Sequence, residues 1–388
     1  MTREVYLDNS ATTKPFSEVI TSTTEMLEKY YGNPSSLHTK GIEAEKAIKK
    51  ARESIADVLK VKSNEIYFTS GGTEANNIAT LGIATANHRK GNHIITSKIE
   101  HPSVLNALKY LESQGFRVSY ISVDSDGLIK MDELQEAIDQ DTILVSIMYV
   151  NNEVGTIQPI NEIAKIIRKK KSQAYFHVDA VQAFGKIKFE PAKLDVDLCT
   201  ISAHKIHGPK GVGALYIKKG TLIKPIVFGG SQELNMRSGT ENVPGIVGFG
   251  EAVRKTYMNF DENYLYMNNI RERLKAELFQ NIEGVILNGC EEIDKVAPNI
   301  LNISFEGIKA EVLLHALEAK GIYVSTGSAC SSNKPAPSHV LLAMGVTQEK
   351  IGGAVRFSVS VMNTEEEIDY CVQELCAIIQ QLRKYKRR

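Results

Sequence analysis

In the segment Leu198-Cys-Thr-Ile-Ser-Ala-His-Lys205, a short and mostly apolar run is followed directly by polar residues. Runs of this kind decide the fold. The run is typical of a buried strand, and similar runs alternate with helical patterns from about residue 50 to residue 217. Seven strands are predicted: Ile66–Thr69, His93–Thr96, Val118–Ile121, Ile143–Val150, Tyr175–Val178, Leu198–Ile201 and Gly213–Ile217. This alternation predicts an α/β fold in which crossover helices connect a mostly parallel sheet.

Helical patterns separate the predicted strands, and the order of elements changes near residue 250. The helices are expected at Glu74–Asn87, Ser103–Ser113, Asp132–Ile138 and Glu162–Lys171. Beyond residue 250 the order is a long polar helix, a strand near Asn299–Phe305, a helix at Lys309–Lys320, the segments Ile322–Ser325 and Ala354–Ser360, and a helix from Thr364. We therefore expect a large domain at residues 15–255 and a smaller α+β domain formed by residues 1–14 and 256–388.

The amino-acid composition is that of an ordinary globular protein, and the balanced charge argues against nucleic acid and anionic membranes as main partners. The 388 residues include 46 basic and 46 acidic side chains, so the overall charge gives no reason to expect nucleic acid or an anionic membrane. Neither an apolar signal region after Met1 nor an apolar run of membrane-spanning length is present in the sequence. We expect a cytoplasmic protein.

The cysteines are odd in number and lack paired short spacings, which argues against a disulfide framework and a zinc knuckle. Burial in a strand or a helix explains Cys199, Cys371 and Cys376. Cys330 differs, because it lies in the small-residue segment Gly327-Ser-Ala-Cys-Ser-Ser-Asn333. From the residues alone, that segment is read either as a loop with an incidental thiol or as the site of a reactive one.

Ligands of open parallel sheets collect beyond the carboxyl ends of the strands. The first predicted strand is followed there by Ser70-Gly-Gly-Thr-Glu74 and then by a helix. Free amide groups and the Thr73 hydroxyl can hold a phosphate in such a turn. A plain tight turn with a helix cap explains the same residues equally well.

Two further strand ends carry candidate catalytic groups. Asp179 follows one strand, and its carboxylate can either pair with a protonated ring nitrogen or cap a helix. Lys205 follows the next strand and can form a Schiff base. Lys210 is the competing lysine, but it lies in a turn between Pro209 and Gly211, so Lys205 is preferred.

The histidines near these strand ends have more than one interpretation. His101 can face a planar cofactor, transfer a proton, or simply cap a helix. His204 and His207 are three residues apart, but no Cys or carboxylate cluster accompanies them to complete a coordination shell. We therefore expect no metal.

Taken together, the sequence resembles fold-type I pyridoxal-phosphate enzymes of the class V aminotransferase group, and specifically cysteine desulfurases of the NifS/IscS type. The resemblance spans nearly the whole chain. It rests on ten motifs: Tyr6-Leu-Asp-Asn-Ser-Ala-Thr-Thr13, Gly32-Asn-Pro-Ser-Ser36, Thr69-Ser-Gly-Gly-Thr-Glu74, Glu100-His-Pro102, Asn151-Asn-Glu-Val-Gly155, His177-Val-Asp-Ala-Val-Gln182, Ser202-Ala-His-Lys205, Arg237-Ser-Gly-Thr240, Gly327-Ser-Ala-Cys330 and Arg356-Phe-Ser358.

The resemblance implies pyridoxal 5'-phosphate as cofactor and a role for each site residue. Lys205 would bind it covalently, while Asp179 would contact the ring nitrogen, Gln182 the ring hydroxyl and His101 the ring face. Other roles follow in the same way: Gly72, Thr73, Ser202 and His204 around the phosphate, Thr240 at the phosphate of the partner subunit in a homodimer, and Asn152 and Arg356 on the substrate carboxylate. Asn152 is also expected beside the cofactor.

The implied reaction converts L-cysteine to L-alanine. Lys205 would remove the α-proton, and the Cys330 thiolate would take the sulfur as a persulfide for an acceptor protein. The segment from Cys330 to Ser338 has the length of the long-loop subgroup, which favours transfer to several partners. Only six residues follow Leu382, whereas family members dedicated to iron–sulfur scaffold proteins often carry a longer C-terminal extension. The resemblance therefore leaves two acceptors open, an iron–sulfur scaffold or a dedicated protein such as a tRNA-thiolation enzyme.

Two other hypotheses remain at this point. A class V aminotransferase or a selenocysteine lyase would need Lys205 and Asp179 but would leave Cys330 without a role. A catalytically silent binding partner would need none of the three, so their presence argues against it.

Overall fold

The computed structural model describes residues 3–170, 173–326 and 337–386. Its strands are β1 Val5–Tyr6, β2 Ile66–Thr69, β3 His93–Ser97, β4 Arg117–Ile121, β5 Thr142–Met148, β6 Tyr175–Asp179, β7 Leu198–Ser202, β8 Gly213–Ile217, β9 Val285–Leu287, β10 Ile300–Phe305, β11 Ile322–Tyr323 and β12 Ala354–Ser358. Its α-helices are α1 Ser17–Glu28, α2 Thr39–Leu59, α3 Gly72–Asn87, α4 Pro102–Ser113, α5 Met131–Ala137, α6 Ile160–Lys169, α7 Val243–Met258, α8 Phe260–Asn281, α9 Ala310–Glu318, α10 His339–Ala343, α11 Gln348–Ile351 and α12 Glu365–Lys386.

The large sheet has seven strands in the order β2-β8-β7-β6-β5-β3-β4. All neighbours pair in parallel except β8, which is antiparallel to both β7 and β2. The connection from β7 to β8 covers only residues 203–212, and a parallel crossover needs about a dozen residues or more. The prediction of a mostly parallel sheet of seven strands is confirmed.

The predicted strand Ile143–Val150 was too long. Strand β5 ends at Met148, and Val150 forms an isolated bridge with Ile157 because the chain turns back there. The backbone N–H of Gln158 donates to the carbonyl of Tyr149 and closes this turn. The turn brings residues 150–153 to the carboxyl edge of the sheet.

A glycine in β8 allows the turn between β2 and α3 to approach the sheet closely. Strand β8 begins at Gly213, where an added Cβ would lie 2.8 Å from the Cα of Gly71. Any larger residue at position 213 would push this turn away. The N-terminus of α3 is thereby held beside the ends of β7 and β8.

A second hydrophobic cluster lies outside the large sheet. It contains buried residues of β1, α8, β10, α9, β12 and α12, such as Leu274, Ile303 and Phe357. Here β12, β10 and β9 form an antiparallel sheet, while β1 pairs in parallel with β11. Strands β1 and β9 were not predicted, because two or three residues are too few to show a periodic pattern.

The N-terminal segment, residues 3–16, joins the second cluster to the large sheet. It leaves β1 beside the second cluster, and at Thr13 it bonds to the carbonyl of His204 just beyond β7.

Within residues 3–170, 173–326 and 337–386, no helix has the length and apolarity needed to cross a membrane. The cytoplasmic location stays a prediction.

Candidate active site

The candidate residues converge on one cavity at the carboxyl edge of the large sheet. Its volume is about 290 Å³, near the lower end of the range for small-molecule pockets. Ten of the predicted residues line it: Gly72, Thr73, His101, Asn152, Asp179, Gln182, Ser202, His204, Lys205 and Arg356. Residues that are distant in sequence therefore form one site.

Asp179 ends strand β6 and is only 5% exposed. Its Oδ1 accepts the backbone N–H of Val181 at 3.0 Å, and its Oδ2 accepts the side-chain amide of Asn76 at 2.7 Å. Asn76 lies on α3, one helical turn beyond Thr73. These two bonds fix the carboxylate. Asp179 therefore caps the following turn and lines the cavity at the same time.

His101 caps helix α4 and also lines the cavity. The cap is one of its three interpretations, and its roles beside a cofactor or in proton transfer stay predictions. Its Nδ1 accepts the backbone N–H of Ser103 at 3.1 Å and lies 2.8 Å from the Ser103 hydroxyl. Burial lowers the pKa of His101. Because Nδ1 is an acceptor, the neutral ring carries its proton on Nε2.

Lys205 follows β7, and its ammonium is held by backbone carbonyls of the N-terminal segment. Its Nζ donates to the carbonyl of Ser10 at 2.5 Å and to that of Ala11 at 2.9 Å. The side-chain amide of Gln182 also donates to the Ser10 carbonyl, at 3.0 Å. Lys210, the competing lysine, is exposed and is not among the described residues that line the cavity.

A second lysine lies beneath Lys205. The buried Lys186 donates from Nζ to the backbone carbonyl of Lys205. Burial, together with the charge of Lys205, lowers the pKa of Lys186 to about 7. The charge of Lys186 therefore changes near neutral pH, directly beneath the lysine that faces the cavity.

The cavity is also lined by Ser202, His204 and the first residues of α3. The hydroxyl of Ser202 is buried and makes no hydrogen bond within the described residues. His204 lies nearby, and burial, followed by the charges of Lys205 and two other lysines, lowers its pKa to about 3. Ser202 and His204 can therefore donate hydrogen bonds to an anion without carrying a charge. The N-terminus of α3, at Gly72 and Thr73, also favours an anion through its free amide groups and the helix dipole.

Arg356 lies on β12 and also lines the cavity. Its side chain is 5% exposed and bonds to the Asn152 carbonyl at 2.8 Å and to the Asp8 carboxylate at 2.7 Å. Asn152 and Arg356, which were assigned to the same task, therefore lie side by side. Asp8 was part of a quoted motif but had no predicted role.

One predicted residue, Thr240, is not among the described residues that line the cavity. Thr240 lines a separate pocket of about 90 Å³ together with Ser70, Glu233 and Arg237. Cys330 lies outside the described residues, as do residues 331–336 of the predicted long loop. The structure accordingly leaves the roles of both as predictions.

Sequence reasoning missed Asn76, Ser103 and the Ser10 and Ala11 carbonyls. Asn76 carried a signal, because its spacing of three from Thr73 places both on one helix face. Backbone carbonyls carry no signal in the residue types. Within the described ranges, no group of three or more His, Cys, Asp or Glu residues could hold a metal ion.

A larger cavity of about 560 Å³ lies elsewhere, at the end of α2 and along residues 188–194. None of the described candidate residues lines it. Size alone therefore does not identify the site, and the convergence of chemically distinct groups does.

A protein-family model, Aminotransferase class-V, matches residues 5–371. The chain belongs to this class-V aminotransferase family. A cysteine desulfurase IscS from Methanosarcina thermophila is 49% identical over 381 residues, covering 98% of this chain and 93% of the relative. Another, from Clostridium botulinum, is 46% identical over 384 residues, covering 99% and 96%.

A solved structure titled as a NifS-like protein superposes with a TM-score of 0.92 at 43% identity, covering 97% of this chain and all of that one. The predictions of a class-V family member, of the NifS/IscS type, with an α/β fold are therefore confirmed. The motifs were sufficient for this result because they lie along nearly the whole chain in the order of the family.

Proposed function

We propose that this class-V enzyme is a pyridoxal-phosphate-dependent cysteine desulfurase that converts L-cysteine to L-alanine. The observation that carries the proposal is that Lys205, Asp179 and Arg356 line one cavity. In the overall reaction the bond from the substrate Cβ to sulfur breaks, and a bond forms between that sulfur and Sγ of Cys330. The new bond to sulfur turns the thiol of Cys330 into a persulfide. The substrate Cβ gains a proton and becomes the methyl group of alanine.

The residues present fit pyridoxal phosphate. Buried polar atoms that make no hydrogen bond within the described residues include Oγ of Ser202 and Oε1 of Gln182, and both residues line the cavity. Such atoms are costly unless a ligand or water satisfies them. When bound, the cofactor supplies an electron sink for negative charge at the substrate α-carbon.

Asp179 would hold the ring nitrogen in its protonated form, because a fixed carboxylate favours a nearby positive charge. Thr73, Ser202 and His204, with the N-terminal amides of α3 at Gly72, would hold the phosphate. Gln182 would bond to the ring hydroxyl, His101 would lie against the ring, and Asn152 would also contact the cofactor.

Lys205 would bind the cofactor and then act as the base. Its Nζ lies between the carbonyls of Ser10 and Ala11, which stabilise the amine when it carries a proton. Removal of the substrate α-proton and its later return can therefore be assigned to this one nitrogen. Arg356 and Asn152 would orient the substrate through its carboxylate.

A homodimer is part of the proposal. Thr240 is exposed and belongs to a pocket separate from the cavity, as expected if it serves the phosphate of the partner subunit. We also propose the division into residues 15–255 and residues 1–14 with 256–388. The second hydrophobic cluster supports it, since that cluster combines Val5 and Leu7 with residues from Met267 onward.

The persulfide sulfur would pass to an acceptor protein for iron–sulfur cluster assembly, and tRNA thiolation remains a prediction based on the sequence. The activity is tested by incubating purified protein with pyridoxal phosphate, L-cysteine and a thiol reductant. Equal amounts of alanine and sulfide are expected. Formation of a keto acid from added amino acids, without sulfide, would indicate an aminotransferase instead, and activity confined to selenocysteine would indicate a lyase.

A further inference from the structure

Arg356 has an acidic partner that the proposed function does not use. Oδ1 of Asp8 accepts Nη2 of Arg356 at 2.7 Å, and the two side chains are 20% and 5% exposed. On the other side, Nη1 donates to the carbonyl of Asn152 at 2.8 Å. The guanidinium is thus held between a carboxylate and a backbone carbonyl from different parts of the fold.

The backbone around Asp8 is fixed to the strand that carries Arg356. Asp8 forms a parallel bridge with Ser358, and the N–H of Ser358 donates to the carbonyl of Leu7 at 2.7 Å. Ser358 and Arg356 are two residues apart on β12, so their side chains lie on the same face. The carboxylate of Asp8 therefore reaches the guanidinium from a position that the sheet determines.

The guanidinium retains donors for a ligand. Of its five N–H groups, the two bonds above use two, and Nε is buried without a hydrogen bond inside the described residues. Arg356 lines the cavity, whereas Asp8 is not among the described residues that do. Asp8 is therefore placed to act through Arg356.

We propose that Asp8 is a positioning residue that fixes the guanidinium of Arg356 to receive the carboxylate of an amino-acid substrate; this inference rests on the proposed function. A long arginine side chain loses conformational freedom when it binds a carboxylate, and two fixed acceptors remove most of that loss before the ligand arrives. Without Asp8, only the Asn152 carbonyl would hold the guanidinium.

The test compares two ligands that differ only in the carboxylate. L-Alanine and L-alaninamide are titrated into cofactor-loaded wild-type, Asp8→Ala and Asp8→Asn proteins, and binding is followed through the absorbance of the cofactor. Asp8→Ala is expected to weaken alanine binding by about tenfold or more, while alaninamide binding changes by less than about twofold. Asp8→Asn keeps an oxygen acceptor, so alanine binding is expected within about threefold of wild type.

Equal losses for both ligands, or no loss for alanine, would overturn the role of Asp8. So would an Asp8→Asn protein as weak as Asp8→Ala, because the accepted hydrogen bond would then not matter. If Asp8→Ala does not fold, Asp8→Ser replaces it with the same expectation, since the serine hydroxyl is too short to span the contact. A wild-type protein that binds alanine but forms none from cysteine would instead refute the proposed function.

Discussion

The side-chain amide of Asn76 lies 2.7 Å from the carboxylate of Asp179. The same nitrogen lies 2.8 Å from the hydroxyl of Ser103, which in turn contacts Nδ1 of His101. One amide therefore links the carboxylate expected at the ring nitrogen to the histidine expected at the ring face. All of these contacts are buried or partly buried, where each hydrogen bond contributes more than at the surface.

Asn76→Ala should weaken cofactor binding, because Asp179 loses the donor that fixes one of its oxygens. Hydrogen bonds to charged groups contribute about 1.5–3 kcal/mol, so the dissociation constant for pyridoxal phosphate should rise by at least about tenfold. Titration of the cofactor-free protein, followed by absorbance, measures this constant. Asn77→Ala is the matched control, since Asn77 bonds to backbone carbonyls of Thr73 and Ser103. Equal losses in the two variants would show a helix effect rather than an effect on Asp179.

Lys205→Ala should fold, lose the absorbance of covalently bound cofactor and show no detectable turnover, because both the anchor and the base are removed. Lys210→Ala should keep that absorbance and most of the activity, since Lys210 is exposed. Spectra and alanine assays of both variants decide between the two lysines. The reverse pattern would show that the assignment of Lys205 is wrong.

Cys330→Ala should still bind cofactor and L-cysteine but should form no persulfide and release no alanine. Burial raises the pKa of the thiols of Cys199 and Cys371, which disfavours their reactive thiolate forms. Mass spectrometry after incubation with cysteine should therefore place the additional sulfur on Cys330. Cys376→Ala, at a partly exposed cysteine, serves as the control and should retain the persulfide. Normal alanine formation by Cys330→Ala would contradict the mechanism.

Glu153→Gln should change how stability depends on pH. Burial raises the pKa of Glu153 from 4.5 to about 7, and its carboxyl accepts the Ser338 hydroxyl at 2.5 Å. Between these two values the unfolded chain releases a proton that the folded protein keeps, so the contribution of Glu153 to stability falls as pH rises. Relative to the Gln variant, wild type should lose on the order of 3 kcal/mol between pH 4.5 and 8.

Urea unfolding of both proteins at several pH values measures this difference. Exposed Glu28→Gln is the control and should run parallel to wild type across the range. A constant difference between wild type and Glu153→Gln would show that Glu153 is not the group responsible.

Subunits with complementary defects should restore a site if the protein is a homodimer in which Thr240 serves the partner. A Thr240→Ala subunit keeps its own Lys205, and a Lys205→Ala subunit supplies Thr240. Unfolding and refolding the two together should yield more alanine per subunit than either variant alone, and sedimentation should give the mass of a dimer. Activity that is only the average of the two parents would indicate that Thr240 acts within its own subunit.

The sequence predicted the large sheet and its strand-end residues because these depend on local patterns. Leu198–Ile201 and Tyr175–Val178 are short, mostly apolar runs, and both became buried central strands. Alternation with helices implies parallel pairing, and parallel pairing brings strand ends to one edge. The placement of Asp179 and Lys205 on one cavity followed from this rule.

The sequence by itself determined the family, the α/β fold and most of the candidate residues, since motif order and strand periodicity are properties of neighbouring residues. Only the tertiary structure decided that Asp8 holds Arg356, that Asn76 holds Asp179 and that Thr240 lies in a different pocket. It also decided that His204 and Glu153 have shifted pKa values. The physical reason is that hydrogen bonds between distant segments and the loss of water around a charge both depend on how the elements pack, which residue spacing does not report.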